Sequence, residues 1–222
     1  YSGDLGSSDS VAQLFLLIPS HYYSTLSVPT FINSASAQQT SASATLIINK
    51  PSSTVEGDLM IAIVGAGGGG DTWTGDTGWT EVVDQGSQPT LRVAYKVAGA
   101  SEASSYTFTS TGNGQKKGGV ILTYRGAFYD TIGSINTSNG ICNSISVCYP
   151  KSILLGIYFT TSSGVVLTPP AEMTTLISDA DADAPSYLIA AQFIATIGST
   201  GDRTFGGYSG TTAGVLMSIR PG

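Results

Sequence analysis

The stretch Leu59-Met60-Ile61-Ala62-Ile63-Val64 constrains this chain more than any other. A strand with one wet face alternates apolar and polar side chains, whereas a run apolar at every position needs cover on both faces. Gly57-Asp58 leads into it, and the glycine run Gly67 to Gly70 comes after it. The run therefore reads as a strand in the middle of a layered β structure. Further on, Leu91, Val93, Tyr95 and Val97 alternate with Arg92, Ala94, Lys96 and Ala98. That period of two predicts a half-buried antiparallel strand.

The same reading along the chain predicts strands at 30–36, 44–50, 58–66, 80–85, 90–98 and 105–109. In the second half it predicts strands at 119–125, 131–137, 152–160, 172–178, 187–196, 202–208 and 214–220. Turn formers punctuate them: Pro51-Ser52-Ser53, Gln88-Pro89, Ser162-Ser163-Gly164, Pro169-Pro170 and Ala184-Pro185. Short strands at such spacing, rich in glycine turns, mark an all-β sandwich or barrel. No stretch predicts a helix of three turns, and no repeat at a fixed period stands out. The expected fold is an all-β, jelly-roll-like two-sheet antiparallel β-sandwich. At 222 residues it forms one large domain over 30–222, preceded by an N-terminal arm over 1–29.

The arm differs in character from the rest of the chain. After a polar start, Val11 to Ile18 holds Leu14, Phe15, Leu16, Leu17 and Ile18 in succession, closed by Pro19. That much apolar surface needs a partner, either the domain's own core or another chain. The expectation is contact with another chain, with Leu14, Phe15, Leu16, Leu17 and Ile18 as the contacting residues. Val11 to Ile18 is shorter than a membrane span and lacks the basic stretch that precedes a signal-peptide core. Because residue 1 is Tyr1, either a leader has been removed or the numbering starts inside a longer product.

Charge excludes some partners. Nine Lys and Arg stand against 15 Asp and Glu, a net charge of −6. Nucleic-acid binding needs a basic face to displace counterions, and Lys116-Lys117 in an expected turn is the lone basic doublet. No nucleic-acid partner and no membrane span are expected.

Candidate chemistry is sparse. A Ser-His-Asp triad needs a histidine base, and the one histidine, His21, lies in the arm. No catalytic residues are expected. Asp71, Asp76, Glu81 and Asp84 lie near Trp73 and Trp79, so paired carboxylates or a sugar-stacking platform come into view. Trp79 reads as core and Trp73 as the exposed ring, which makes Trp73, Asp71 and Asp76 the candidate ligand-binding set. Asp179, Asp181 and Asp183 alternate in a loop and offer hard oxygens to a calcium ion. They lack the glycine and distal glutamate of a calcium loop, so a solvated loop is the competing reading. Beyond that calcium candidate, no cofactor is expected. The glycine run is not followed by Lys-Ser/Thr and so makes no phosphate loop. Cys142 and Cys148, with five residues between them, either bridge a small hairpin loop or remain reduced thiols.

The order Gly57-Asp58-Leu59, Gly78-Trp79-Thr80, Leu91-Arg92-Val93-Ala94-Tyr95-Lys96-Val97-Ala98 and Ser105-Tyr106-Thr107-Phe108-Thr109 resembles a β-sandwich module of bacteriophage virion proteins. Tail-fibre and capsid-surface proteins carry such modules, and the closing Thr211 to Pro221 is similar to how they end. The family has no shared catalytic residues to carry over. The resemblance implies a non-enzymatic protein of the virion surface, outside the cell, as a capsid decoration protein or a fibre or spike module. Its partners would be copies of itself (a homotrimer or other homo-oligomer), capsid or tail proteins, and host surface glycans. Two other expectations stand beside it: a secreted filament subunit assembled by strand donation, and a carbohydrate-binding module.

Overall fold

The computed structural model describes residues 25–75, 77–112 and 114–222. The expected arm contacts Leu14 to Ile18, together with His21 and Asp76, lie outside the described residues. The chain lays down eight strands up to residue 125: β1 (Thr30–Gln39), β2 (Thr45–Asn49), β3 (Leu59–Ala66), β4 (Trp73–Thr74), β5 (Thr80–Gln85), β6 (Thr90–Val97), β7 (Ser105–Ser110) and β8 (Lys117–Arg125). After Gly126 come β9 (Ala127–Ile132), β10 (Ile141–Cys142), β11 (Ser146–Val147), β12 (Ser152–Thr160), β13 (Thr174–Asp179), β14 (Tyr187–Ile194), β15 (Gly198–Ser199), β16 (Arg203–Thr204) and β17 (Thr212–Pro221).

Two five-stranded antiparallel sheets form the central sandwich, in the orders β1-β8-β3-β6-β5 and β13-β14-β12-β17-β9. The all-β sandwich expected from the alternation is what the chain adopts. Its largest core lies between these sheets, where Leu59, Ile61 and Ile63 of β3 meet Leu155 and Ile157 of β12 and Val215 of β17. Each sheet is also covered on its outer face. The first carries the three-stranded sheet β2-β7-β4, which closes Met60, Ala62, Val64 and Ile121 under Leu46, Ile48, Trp73 and Phe108. The second carries the ribbons β10-β16 and β11-β15, with Cys142, Ile145, Leu167 and Phe205 packed on Leu154, Tyr158 and Leu216. Layers on both sides explain why Leu59 to Ala66 is buried at every position.

The β2-β7-β4 cover over the first sheet corrects the expectation for β6. Arg92 and Ala94, placed on a wet face by the alternation, are buried at 6% and 1% exposure. Only the strand's end is open, where Val97 is 47% exposed. The strand expected at 131–137 starts earlier, at Ala127, and the one expected at 202–208 shrinks to Arg203–Thr204. The short strands β4, β10, β11 and β15 had no recognisable pattern, since two residues are too few to show a period.

The sheets show a recurrence that has no fixed period in the sequence. Within each half the five main strands lie in the same order: first, last, second, fourth, third. Each sheet is built from one half only, with Gly126, at φ 62, as the junction between them.

Candidate functional site

A cavity of about 310 Å³ opens at one end of the sandwich, where loops of both halves converge. Its wall comprises Gly67 after β3, Gly114 to Lys116 before β8, Thr161 and Ser163 after β12, and Asp183 to Pro185 before β14. The middle of the glycine run is closely approached by neighbouring groups, while Gly70 takes a positive φ of 85. A Cβ at Gly68 would lie 2.2 Å from the Gln115 carboxamide carbon, and one at Gly69 3.0 Å from Gln88. The backbone is held on three sides: Gly67 N–H donates to Lys116 O at 3.3 Å, Gln88 Nε2 donates to Gly67 O at 3.0 Å, and Thr90 N–H to Gly68 O at 3.3 Å. This is a close backbone contact, not a loose connection.

Lys117 follows the wall residue Lys116. Read as part of a turn doublet, it instead opens β8 and is fully buried. Its ammonium donates to Gly112 O at 2.9 Å and Gln115 O at 3.1 Å, and lies 5.8 Å from the Trp73 ring centroid. Burial pulls the Lys117 ammonium below the ordinary lysine range, and the Asp71 charge opposes that shift. Lys116 points outward, its ammonium 3.2 Å from Asp183 Oδ1 across the mouth. Both partners are well exposed, so the pair contributes about 0–1 kcal/mol and orients more than it stabilises.

The predicted ligand set does not assemble. Trp73, expected exposed, is 2% exposed, and its Nε1–H donates to Thr90 Oγ1 at 3.0 Å. Asp71 is 8% exposed and accepts from Ser110 Oγ at 3.4 Å. Trp79, expected in the core, is half-buried at its edge, its ring set edge-on against Tyr106 and Phe108. Trp73 turns inward on the short strand β4, and Trp79 packs partly buried against the same core. A sugar-stacking platform on Trp73 is therefore ruled out.

Asp84, on β5, accepts from Trp73 N–H at 3.0 Å. Burial raises its pKa against that hydrogen bond, with Glu81 adding to the rise and Arg92 opposing it. Arg92 Nε lies 3.0 Å from Glu81 Oε2, but its N–H is not aligned for a hydrogen bond. The cluster ties β5 to β6 under the Trp73 loop.

The aspartate loop is wired to itself. Asp179 Oδ1 accepts from Asp181 N–H at 3.1 Å, and Asp181 Oδ1 accepts from Asp183 N–H at 2.7 Å. Among the described residues no group of three His, Cys, Asp or Glu side chains is placed to hold a metal ion. Cys142 and Cys148 are both free, which corrects the bridge. Cys142 is buried on β10 with Sγ 3.8 Å from Ile157 O, whereas Cys148 faces solvent after β11. They belong to different ribbons, and burial pushes the Cys142 thiol pKa far up.

Sequence reasoning missed the residues that hold the loops. Asp58, 2% exposed, receives Arg125 Nε and Nη2 at 2.9 Å each. Glu102 gathers Lys96 Nζ at 2.7 Å, Tyr106 Oη at 2.6 Å and Gly99 N–H at 2.7 Å. The available signal was a charge beside or inside an apolar strand run, as with Asp58, Arg92 and Lys117. No protein-family model, curated protein or solved structure matches the chain. No described helix is long and apolar enough to cross a membrane.

Proposed function

We propose that this chain is a non-enzymatic structural protein of a bacteriophage particle, placed on the virion surface as a capsid decoration protein or as a fibre or spike module. The observation that carries this reading is how the ionisable side chains are used. Asp58 with Arg125, Glu102 with Lys96, and Lys117 with two loop carbonyls each fasten a loop or strand end. A pattern of this kind supports a rigid building block, and the ordered motifs that resemble phage virion modules supply the particle. Surface-exposed self-association, contact with capsid or tail proteins, and contact with host glycans belong to the same proposal. The polar cleft between the halves, with Thr161, Ser163 and the Lys116–Asp183 pair in its wall, is where this reading places a sugar contact instead of Trp73.

Strand donation fits less well. Both halves already hold their first strand, β1 or β9, paired beside their last, β8 or β17. Among the described residues neither sheet shows the gap that a donated strand would fill.

Mass spectrometry of purified native particles tests the proposal. The expected result is the chain at a fixed copy number per particle, accessible to a surface protease or antibody. Finding it only as a secreted species free of particles would overturn the assignment.

A further inference from the structure

The shared strand order goes deeper than topology. We propose that residues 30–125 and 127–221 are two copies of one jelly-roll unit, paired through a self-complementary face that has since diverged into a large-against-small fit. This inference is independent of the particle assignment.

The registers agree residue by residue. On β5 the ladder to β6 skips Val82, and on β13 the ladder to β14 skips Leu176, each after the second paired residue. On β1 the ladder to β8 skips Ile32, and on β9 the ladder to β17 skips Asp130, each one place past the aromatic Phe31 or Tyr129. β-Bulges are specific features, and matching ones at two strand positions are hard to reach by chance. The covers match too. The strand after the first pairs with the strand before the last in both halves, as β2 with β7 and as β10-β11 with β16-β15. The β4–β7 pairing has its counterpart in the bridge Thr168–Gly206. These registers align Gly119-Val120-Ile121-Leu122-Thr123-Tyr124-Arg125 with Gly214-Val215-Leu216-Met217-Ser218-Ile219-Arg220, and Pro89-Thr90 with Pro185-Ser186.

Equivalent positions then meet each other across the central core, as a two-fold interface requires. Gly65 is equivalent to Phe159, and a Cβ at Gly65 would lie 2.6 Å from the Phe159 ring. Gly67 is equivalent to Thr161, and a Cβ there would lie 3.7 Å from Thr161 O. The middle strands β3 and β12 thus run back to back about the axis, and the cleft opens where that axis leaves the molecule. Divergence has made the fit one-sided. Phe159 stacks on Tyr187 at 4.9 Å, and Tyr187 Oη donates to Gly119 O at 3.2 Å. The equivalents on the other side are Gly65, Leu91 and Gly214. Two unaltered first halves would leave a hole at the axis, and two unaltered second halves would clash there. Each half therefore accepts the other and no longer a copy of itself.

A reciprocal exchange in the full chain tests this. Half-exchange one is Gly65→Phe with Leu91→Tyr, and half-exchange two is Phe159→Gly with Tyr187→Leu. The full exchange carries all four substitutions and moves the ring stack to the other side of the axis. Each half-exchange should lower Tm by roughly 10 °C or more, one by overpacking and the other by a cavity. The full exchange should lose clearly less than the two half-exchanges summed, as coupled sites allow; the part of the loss that stays comes from a Cβ at residue 65 lying 2.8 Å from Thr90 O. Losses that simply add would overturn the two-fold equivalence. If no exchanged chain folds, a protease site inserted at Gly126 of the otherwise unaltered chain decides. Two separable units predict that the cleaved pieces elute together, part in urea, and reassociate with protected β3 and β12 amides. Pieces that aggregate irreversibly after cleavage would overturn the proposal.

Discussion

At the scale of single residues, the acidic side chains set an acid limit on stability. Burial disfavours ionised Asp58, but the Arg125 hydrogen bonds, the Val55 N–H and the guanidinium charge outweigh it, so its pKa is lowered. Glu102 is likewise lowered, its burial outweighed by Gly99, Lys96 and Tyr106. A carboxylate with a depressed folded pKa contributes stability that is fully present above its unfolded pKa and is lost as pH falls through the folded value. Urea titrations from pH 7 downward should show stability falling from about pH 4, the ordinary carboxylate range. Asp58→Asn should be less stable at pH 7 and flatter across that window. A variant as steep as the unaltered chain would mean that other groups carry the acid loss. Phe108, fully buried against Trp79, gives the packing counterpart. Phe108→Ala should cost about 3–5 kcal/mol in equilibrium unfolding.

At the scale of elements, the paired glycines of β8 and β17 let the covers sit down on the sheets. A Cβ at Gly119 would lie 3.1 Å from Leu46 of the cover and 2.7 Å from Ile63 O of the adjacent strand β3, and one at Gly214 2.7 Å from Cys142 Sγ of the ribbon. Gly119→Ala and Gly214→Ala should therefore each lower Tm, and Gly119→Ala more, because a strand carbonyl moves less readily than a thiol. The ribbon that holds Cys142 gives a chemical readout of the same packing. A maleimide reagent should label Cys148 in the native protein within minutes and reach Cys142 only on unfolding, since its thiol is buried and held protonated. Equal native labelling of both would mean that the β10-β16 and β11-β15 ribbons open freely.

For the whole molecule, the expectation is a surface for binding and assembly without turnover. Assays on peptides, esters and common polysaccharides should show no hydrolysis. Turnover abolished by His21→Ala, or by substitution of Asp71, Asp76 or Glu81, would contradict that expectation. The arm carries the assembly side of the proposal. Deleting residues 1–24 keeps Leu26, whose carbonyl accepts from Lys151 Nζ at 3.0 Å, and buried Pro29. The truncated chain should stay folded and soluble yet fail to join the particle or oligomer, read by sedimentation and particle binding. Unfolding of the truncated chain, with the intact chain monomeric, would make the segment part of the core.

The amino-acid sequence by itself determined the all-β class, most of the long strands and the need to cover Leu59 to Val64 on both sides. Periodicity and turn residues are local, and they act over the few residues that one strand contains. Only the tertiary structure decided that Trp73 is buried, that Arg92 and Lys117 lie inside, and that of the two unbridged cysteines one is buried and one exposed. Those outcomes depend on a second layer brought from distant sequence, and a strand's own alternation carries no record of what lands on its outer face. The duplicated order was legible only in hindsight, in Gly119 to Arg125 beside Gly214 to Arg220. Loops of unequal length shift the offset between equivalent strands, so the hydrogen-bond register, rather than any fixed period, reveals the second copy.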